Sequence, residues 1–300
     1  MLMLMTSSIQ LGLLYAIMAM GIYTTFRILN IPDLTVDGSF SLGMAVAAVL
    51  TMNGHPLLAL IAAIIVGAAA GSVTGFLQTK VGIHPILSGI LVMTGLYTVN
   101  LAVMGGKSNL SVAGKVTLFT KMEELIVSKT GNGKTLLTFI SAILVLLILA
   151  IFYKTRLGLA IRATGDNEDM VRSSSINANL TKCIGLAIGN ACVALSGALV
   201  SQHQMFSDVG FGSGLVVIGL ASVIIGEALF GRRSVLVGLL SALVGSVAYR
   251  IIIAYALKFN IFPSFALKLV SAVIVAIALS VPTIAANMKQ NKLRREAKNQ

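Results

Sequence analysis

Residues 56–78 read PLLALIAAIIVGAAAGSVTGFLQ, twenty-three consecutive positions without a charged side chain. A helix needs about 20 mostly apolar residues to cross the hydrocarbon core of a bilayer, and this stretch supplies them. His55-Pro56 just before it is a turn signal at a helix start. Gly67, Gly71 and Gly75 make two overlapping small-xxx-small steps, and Gly185 with Gly189 makes another. Small residues let helix backbones approach closely where no hydrophobic drive separates helix from lipid. Packing within one subunit is the expected use of these seams, ahead of a dimer contact.

Outward from this block the pattern repeats. Apolar segments run at Ser8–Phe26, Ser39–Met52, Pro56–Gln78, Pro85–Met104, Thr135–Tyr153, Thr181–Ser201, Gly214–Phe230, Val235–Tyr255 and Phe265–Ala285. The expected fold is therefore all-α and polytopic, with about nine transmembrane helices. The domain expected is a transmembrane unit over 1–288 with a basic tail over 289–300. The second segment is too short to span alone, so part of Asn30–Gly38 should enter the membrane with it. Across the 300 residues 57% are hydrophobic and 11% charged. A soluble domain carries roughly 25% charged residues, and a disordered chain needs low hydrophobicity, so both classes are excluded. The net charge of +12 does not indicate nucleic acid, because the basic residues are spread along loops between apolar blocks.

Those basic residues bear on orientation instead. The tail holds Lys289, Lys292, Arg294, Arg295 and Lys298, which places the C-terminus in the cytoplasm. Alternation through nine spans then puts Arg232, Arg233, the 154–182 segment, Lys80 and Arg27 inside, 14 of the 22 Lys and Arg in all. The N-terminus, without Lys or Arg over Met1–Ser8, falls outside and lacks the basic start of a secretory signal. The 105–134 loop, with five lysines, falls outside as well and runs against the rule.

Enzyme signatures fail on inspection. Lys129–Thr135 imitates a phosphate-binding loop, but Ser128 stands where that motif requires glycine, and no strand precedes it. His55, His84 and His203 have no metal-type spacing. Ser196-Gly197 is preceded by Ala194 rather than the glycine of an intramembrane protease motif. Cys183 and Cys192, nine apart on one helix, face opposite sides and cannot pair. No catalytic residue, metal site or bound cofactor is expected on this chain.

The 154–180 segment is the main break in the apolar pattern. Asp166 is a candidate N-cap, with Glu168 and Asp169 in a first turn whose dipole favours negative charge. Met170, Val171 and Ile176 give a short helix an apolar side, which can seat in a partner's groove or rest at the membrane surface. The run Thr155-Arg156-Leu157-Gly158 through Arg162-Ala163-Thr164-Gly165-Asp166-Asn167-Glu168 to Ile176-Asn177 resembles the coupling segment of ATP-binding-cassette importer permeases of the branched-chain amino-acid and ribose type. Ile31–Ser39 and Gly210–Gly214 resemble polar and glycine-rich stretches of that family. Gly82–Tyr97 resembles its members assigned to tryptophan or tyrosine uptake.

The resemblance implies a permease homodimer in the cell membrane, two cytoplasmic ATPase subunits that carry the ATP and Mg, and an extracytoplasmic solute-binding lipoprotein. It implies ATPase coupling through Gly158, Arg162, Gly165, Asp166, Asn167, Glu168, Met170, Val171 and Arg172.

The two halves also echo one another. A helix, a polar break and a second helix occur over 8–52 and again over 181–230, in opposite orientation. Inverted repeats with broken helices mark the path in many transporters. This assigns Asn30, Pro32, Asp33, Asp37 and Ser39 to the inner side of a path or gate, and Asp208, Gly212 and Ser213 to its outer side. Arg250, alone within the eighth segment, is a candidate contact for a substrate carboxylate or a snorkelling side chain. The expected function is import of a small solute, an amino acid with an aromatic one as a candidate. The alternative, an ion-coupled transporter, would want acids in mid-helix, and here they sit mostly in loops and at helix ends.

Overall fold

Inside a bilayer each backbone N–H and C=O must find a partner within the protein, and the apolar runs meet this demand as helices. The computed structural model describes residues 2–126, 133–231, 233–258 and five isolated helical positions between 269 and 280. The order is α1 (Leu2–Tyr23), which continues into a π-helical turn (Thr24–Ile28), α2 (Thr35–Met52), α3 (Pro56–Phe76) with a π-helical turn (Leu77–Val81), and α4 (Pro85–Val103). Then follow β1 (Asn109–Ser111), α5 (Leu118–Ile126), α6 (Gly133–Phe152), α7 (Arg156–Asp166), α8 (Glu168–Ser173), α9 (Ala178–Gln204), β2 (Phe206–Asp208), α10 (Leu215–Phe230) and α11 (Val235–Lys258).

Seven helices are long and apolar enough to cross a membrane, at Met5–Ile28, Thr35–Met52, Pro56–Val81, Pro85–Val103, Gly133–Phe152, Ala178–Gln204 and Val235–Ala256. The expected nine are thus reduced among the described residues. Gly214–Phe230 forms α10, but its 16 residues reach only about 24 Å, short of a hydrocarbon core of about 30 Å. Phe265–Ala285 lies almost wholly outside the described residues, as do the 289–300 tail and Arg232. The second segment is longer than its apolar run, since α2 begins at Thr35 and draws in the preceding polar residues.

The core is built on α1 and α9. From Leu13 to Met20 α1 is buried on every side. α9 packs against α1, α2, α3 and α7. Along the α3–α9 seam, a Cβ at Gly67 would lie 2.5 Å from the Ala194 Cβ, one at Gly71 would strike the Leu186 carbonyl, and one at Gly75 would lie 2.8 Å from the Cys183 Cα. The glycine spacing read from the sequence is therefore used inside one chain. Gly185 and Gly189 serve a second seam, against Leu29 and Thr25. α3, α4 and α6 turn rows of leucine and isoleucine outward, among them Leu57, Ile61, Ile65, Leu144 and Ile148.

Two ends result. At one, the 29–34 turn, α7, the start of α9 and the α10–α11 turn meet; Gly165 abuts the Ile28 carbonyl and Arg27 pairs with Glu227. At the other, β1 pairs antiparallel with β2, Asn109 opposite Asp208 and Ser111 opposite Phe206. The lysine-rich loop is thereby fastened to the chain just ahead of α10, and Leu118 N–H bonds to Gln202 Oε1 at the end of α9.

Replacement of Gly71 with Ala should destabilise the fold by about 1–3 kcal/mol, the usual range for overpacking against a wall that cannot retreat. Gly95→Ala, with nothing within 4 Å of its added Cβ, should be neutral or stabilising by up to about 1 kcal/mol. Thermal unfolding of both variants in detergent checks the contrast.

Candidate functional site

After α1 the chain reverses through Asn30, which takes a left-handed backbone (φ 55°), and Asn30 and Pro32 are exposed. Asp33 then returns into the protein and is 5% exposed. Its Oδ1 accepts from Thr35 N–H at 2.9 Å and its Oδ2 from Asn190 Nδ2 at 2.6 Å. Asn190 lies twelve residues into α9, about 18 Å along it, so the turn dips far into the helix bundle. The Thr35 hydroxyl continues to Thr74 on α3 at 2.7 Å. A carboxylate buried this deeply is tolerated only where hydrogen bonds meet its lone pairs.

The second break is held by the next acid. The first amides of a helix have no intrahelical acceptor, and α10 begins after a glycine, Gly214, that offers no side-chain cap. Asp37, in the first turn of α2, supplies the acceptor from another helix. Its Oδ2 takes Gly214 N–H at 2.7 Å and its Oδ1 takes Val216 N–H at 2.9 Å. The Ser41 hydroxyl takes Gly212 N–H at 3.0 Å, and Gly212 lies so close to the Asp37 carbonyl that no side chain fits.

A cavity of about 410 Å³ opens beside this junction. Asp37, Gly38 and Ser41 come from α2, Met93, Thr94, Tyr97 and Asn100 from α4, and Val209, Gly210 and Ser213 from the loop before α10. Asp37 and Ser213, which the sequence reading set on opposite sides of a path, line this one cavity together. Asn30, Pro32, Asp33, Ser39, Asp208 and Gly212 do not line it. Asp33 and Gly212 are packing and hydrogen-bonding residues, Ser39 is fully buried, and Asp208 turns its carboxylate onto Gly210 N–H at 2.7 Å. The α4 contribution was missed. Its signal is Thr94, Tyr97 and Thr98, exposed polar positions three and four apart in a span otherwise apolar.

Arg250 lies elsewhere. Its guanidinium sits 3.7 Å over the Tyr15 ring, and Tyr15 stacks on Phe40, which stacks on Phe211. It packs inside the bundle and does not line the 410 Å³ cavity.

The 154–180 segment holds two helices ahead of α9, where the sequence suggested one. Thr155 caps α7, its hydroxyl accepting Gly158 N–H at 3.3 Å. Asp166 is the last residue of α7, and Asn167, with extended backbone, is the N-cap of α8 through Met170 N–H at 3.0 Å. The amide side chain wins because the chain kinks there, which aims Asn167 rather than Asp166 at the new helix. Gly158 and Gly165 are close approaches, against Phe152 and Ile28. Glu168 pairs with Arg172 at 2.8 Å and Lys182 at 2.5 Å, and Arg172 reaches Asn179 at 2.9 Å, so α8 is tied to the start of α9. The apolar side divides: Val171 is 1% exposed and packs inward, whereas Met170 is 61% exposed and points away from the protein.

Among the described residues no three His, Cys, Asp or Glu side chains are grouped to hold a metal. Seven crossing-length helices, a cavity at the meeting of two interrupted segments and a helical pair displayed at one end describe a polytopic membrane protein. The chain belongs to the family of branched-chain amino-acid transport system permease components, matched over residues 4–281. It is a permease component of an ATP-binding-cassette importer, not itself an enzyme, and such permeases work with ATPase and binding-protein partners. It is 37% identical to a tyrosine transport system permease protein of Clostridioides difficile over 94% of this chain and 92% of the relative. An uncharacterised protein of Rickettsia prowazekii is 33% identical, over 92% and 97%. The ribose import permease of Escherichia coli K12 is 29% identical, over 70% and 65%. No solved structure matches the chain.

The Lys182 and Arg172 bonds hold the Glu168 carboxyl below the usual carboxylate range. A lowered folded value means that the pairs contribute above the unfolded pKa, about 4.3, and are lost as the pH falls through the lowered value. Hydrogen exchange at the 168–173 amides, corrected for intrinsic rate, should accelerate across that acid window. At pH 7 Glu168→Gln should quicken it about two- to fivefold, as for other partly exposed pairs.

Proposed function

We propose that this chain forms, with a second copy, the membrane pathway of an importer for an amino acid, with tyrosine the first candidate. The observation that carries the reading is the cavity at the Asp37–α10 junction, whose mostly apolar lining is interrupted by a few polar groups. It has a carboxylate, hydroxyl-bearing side chains from α2 and α4, an amide and an aromatic ring; Thr94 and Tyr97 are exposed in one copy, while Ser41 and Asn100 are buried. These groups suit a solute with an ammonium, a carboxylate and an apolar or aromatic body. The likeness to a tyrosine permease over nearly the whole chain supports that choice of solute.

In this reading the two breaks are the inverted halves of the pathway, with Asn30–Asp37 entering from the cytoplasm and Asp208–Gly214 from outside. The 154–180 segment faces the cytoplasm, and with it the basic tail. Met170, exposed on α8, seats in the ATPase subunit; Glu168, Arg172 and Lys182 pass the movement to α9. Asn190 of α9 then acts on Asp33, and through the short link to Asp37 on the cavity. The far end, where the lysine-rich loop is paired to β2, receives the solute-binding protein.

Reconstitution of the chain with its ATPase and binding protein in liposomes tests the reading. Labelled tyrosine should accumulate with ATP on the ATPase side and should continue to do so when a protonophore and ionophores remove the gradients. Uptake that follows the gradients without ATP would instead favour ion coupling, with Asp33 as the buried acid. Met170→Asp should weaken ATPase co-purification about tenfold or more, as loss of an exposed apolar anchor does, and leave unfolding temperature unchanged. Val171→Asp, which buries a charge, should unfold the segment.

A further inference from the structure

A second cavity, of about 320 Å³, lies at the coupling end and is distinct from the one beside Asp37. Its walls come from three places: the end of α1 with its π-helical turn (Tyr23, Arg27), the last turns of α7 (Arg162, Asp166), and α10 with the turn into α11 (Glu227, Arg233). Three guanidinium groups thus face two carboxylates. Arg27 Nη2 pairs with Glu227 Oε2 at 2.5 Å, and Glu227 is nearly buried, so that pair cancels itself. Arg162 and Arg233 form no ion pair with any described residue, nor does Asp166. Among the described lining residues the cavity therefore keeps one positive charge in excess. Arg27 Nε itself is buried behind the cavity wall, so the Arg27 side chain meets the cavity through its other atoms.

Guanidinium forks match oxyanions with two oxygens presented together. Next to the cavity, Leu229 and Phe230 are 64% and 47% exposed and precede Gly231 of its wall. Apolar side chains at the rim and arginines within are the arrangement of a site at a membrane boundary, where basic pockets meet lipid headgroups.

We propose that this cavity binds a phosphate oxyanion, carried by an anionic phospholipid or free in solution, and that the bound anion ties the end of α1, α7 and the α10–α11 turn together. The coupling segment would then move against a clamp whose strength depends on the surrounding phosphate. This inference does not depend on the solute or on the direction of transport.

Two measurements on the full chain test it and separate the sources. Native mass spectrometry compares retained phosphatidylglycerol with phosphatidylcholine, and thermal unfolding in detergent compares inorganic phosphate with chloride at equal ionic strength. Preferential retention of phosphatidylglycerol identifies the headgroup; a phosphate-dependent rise in unfolding temperature identifies the free anion. Either effect should weaken about tenfold in Arg233→Gln, as loss of a charge-assisted fork predicts. It should persist in part in Arg233→Lys and be unchanged in Lys107→Gln at the opposite end. Should Arg233→Gln fail to fold, Arg162→Gln serves in its place. Absence of both effects in the wild-type chain, or their survival in a folded glutamine variant, overturns the proposal.

Discussion

A helix that begins inside a membrane must have its first amides answered by something other than water, and α10 is such a helix. At about 24 Å it cannot reach from one side of a hydrocarbon core to the other, and its leading residue is a glycine. The Asp37 carboxylate, 177 positions earlier in the chain, accepts from two of those amides. The negative charge also complements the positive end of the helix dipole. Much of the rest follows. The loop before α10 must lie against α2 closely enough for Ser41 to reach Gly212, and the paired strands hold the start of that loop in place. The space left between this junction and α4 is the 410 Å³ cavity.

The same logic joins that junction to the far end of the molecule. Asp33, two residues before α2, is bonded to Asn190, and Asn190 rides on α9. α9 is in turn fixed at its start to α8 through Lys182 and Arg172 with Glu168. Close packing makes part of this chain of contacts stiff. Gly43 and Gly197 press α2 onto α9, and Gly67, Gly71 and Gly75 press α3 onto it, with no side-chain layer between backbones. Between α2, α3 and α9 such packing leaves little slack, whereas α8 is tied to α9 through the longer side chains of Glu168, Arg172 and Lys182.

The sequence was most legible where one physical rule acts alone. Uninterrupted apolar length located the long helices, and small-residue spacing located the α3–α9 seam. Turn chemistry misled where tertiary geometry decides: Asp166 and Asn167 are both good caps, and only the kink after α7 selects the second. Val171 and Met170 look alike as apolar positions in the sequence, yet the fold buries one and leaves the other bare. Asp37 stood out in the sequence as an acid in a polar break but not as the cap of a distant helix, because nothing in local sequence links positions 37 and 214. Arg250 could be read toward solute or lipid; its stack on Tyr15 is a contact between α11 and α1 that one-dimensional pattern does not contain. The lysine-rich loop that opposed the charge rule has, in its strand, a structural tie to the second break.

The central claim is that Asp37 joins the two breaks into one working pathway, and uptake by the reconstituted importer with Asp37 replaced by Ala tests it most directly. The account predicts that uptake falls about tenfold or more, as expected on loss of two charge-assisted hydrogen bonds, while membrane insertion and ATPase docking persist. Asp37→Asn, which keeps one acceptor, should fall between. Uptake at the wild-type rate by Asp37→Ala with the ATPase docked would contradict it.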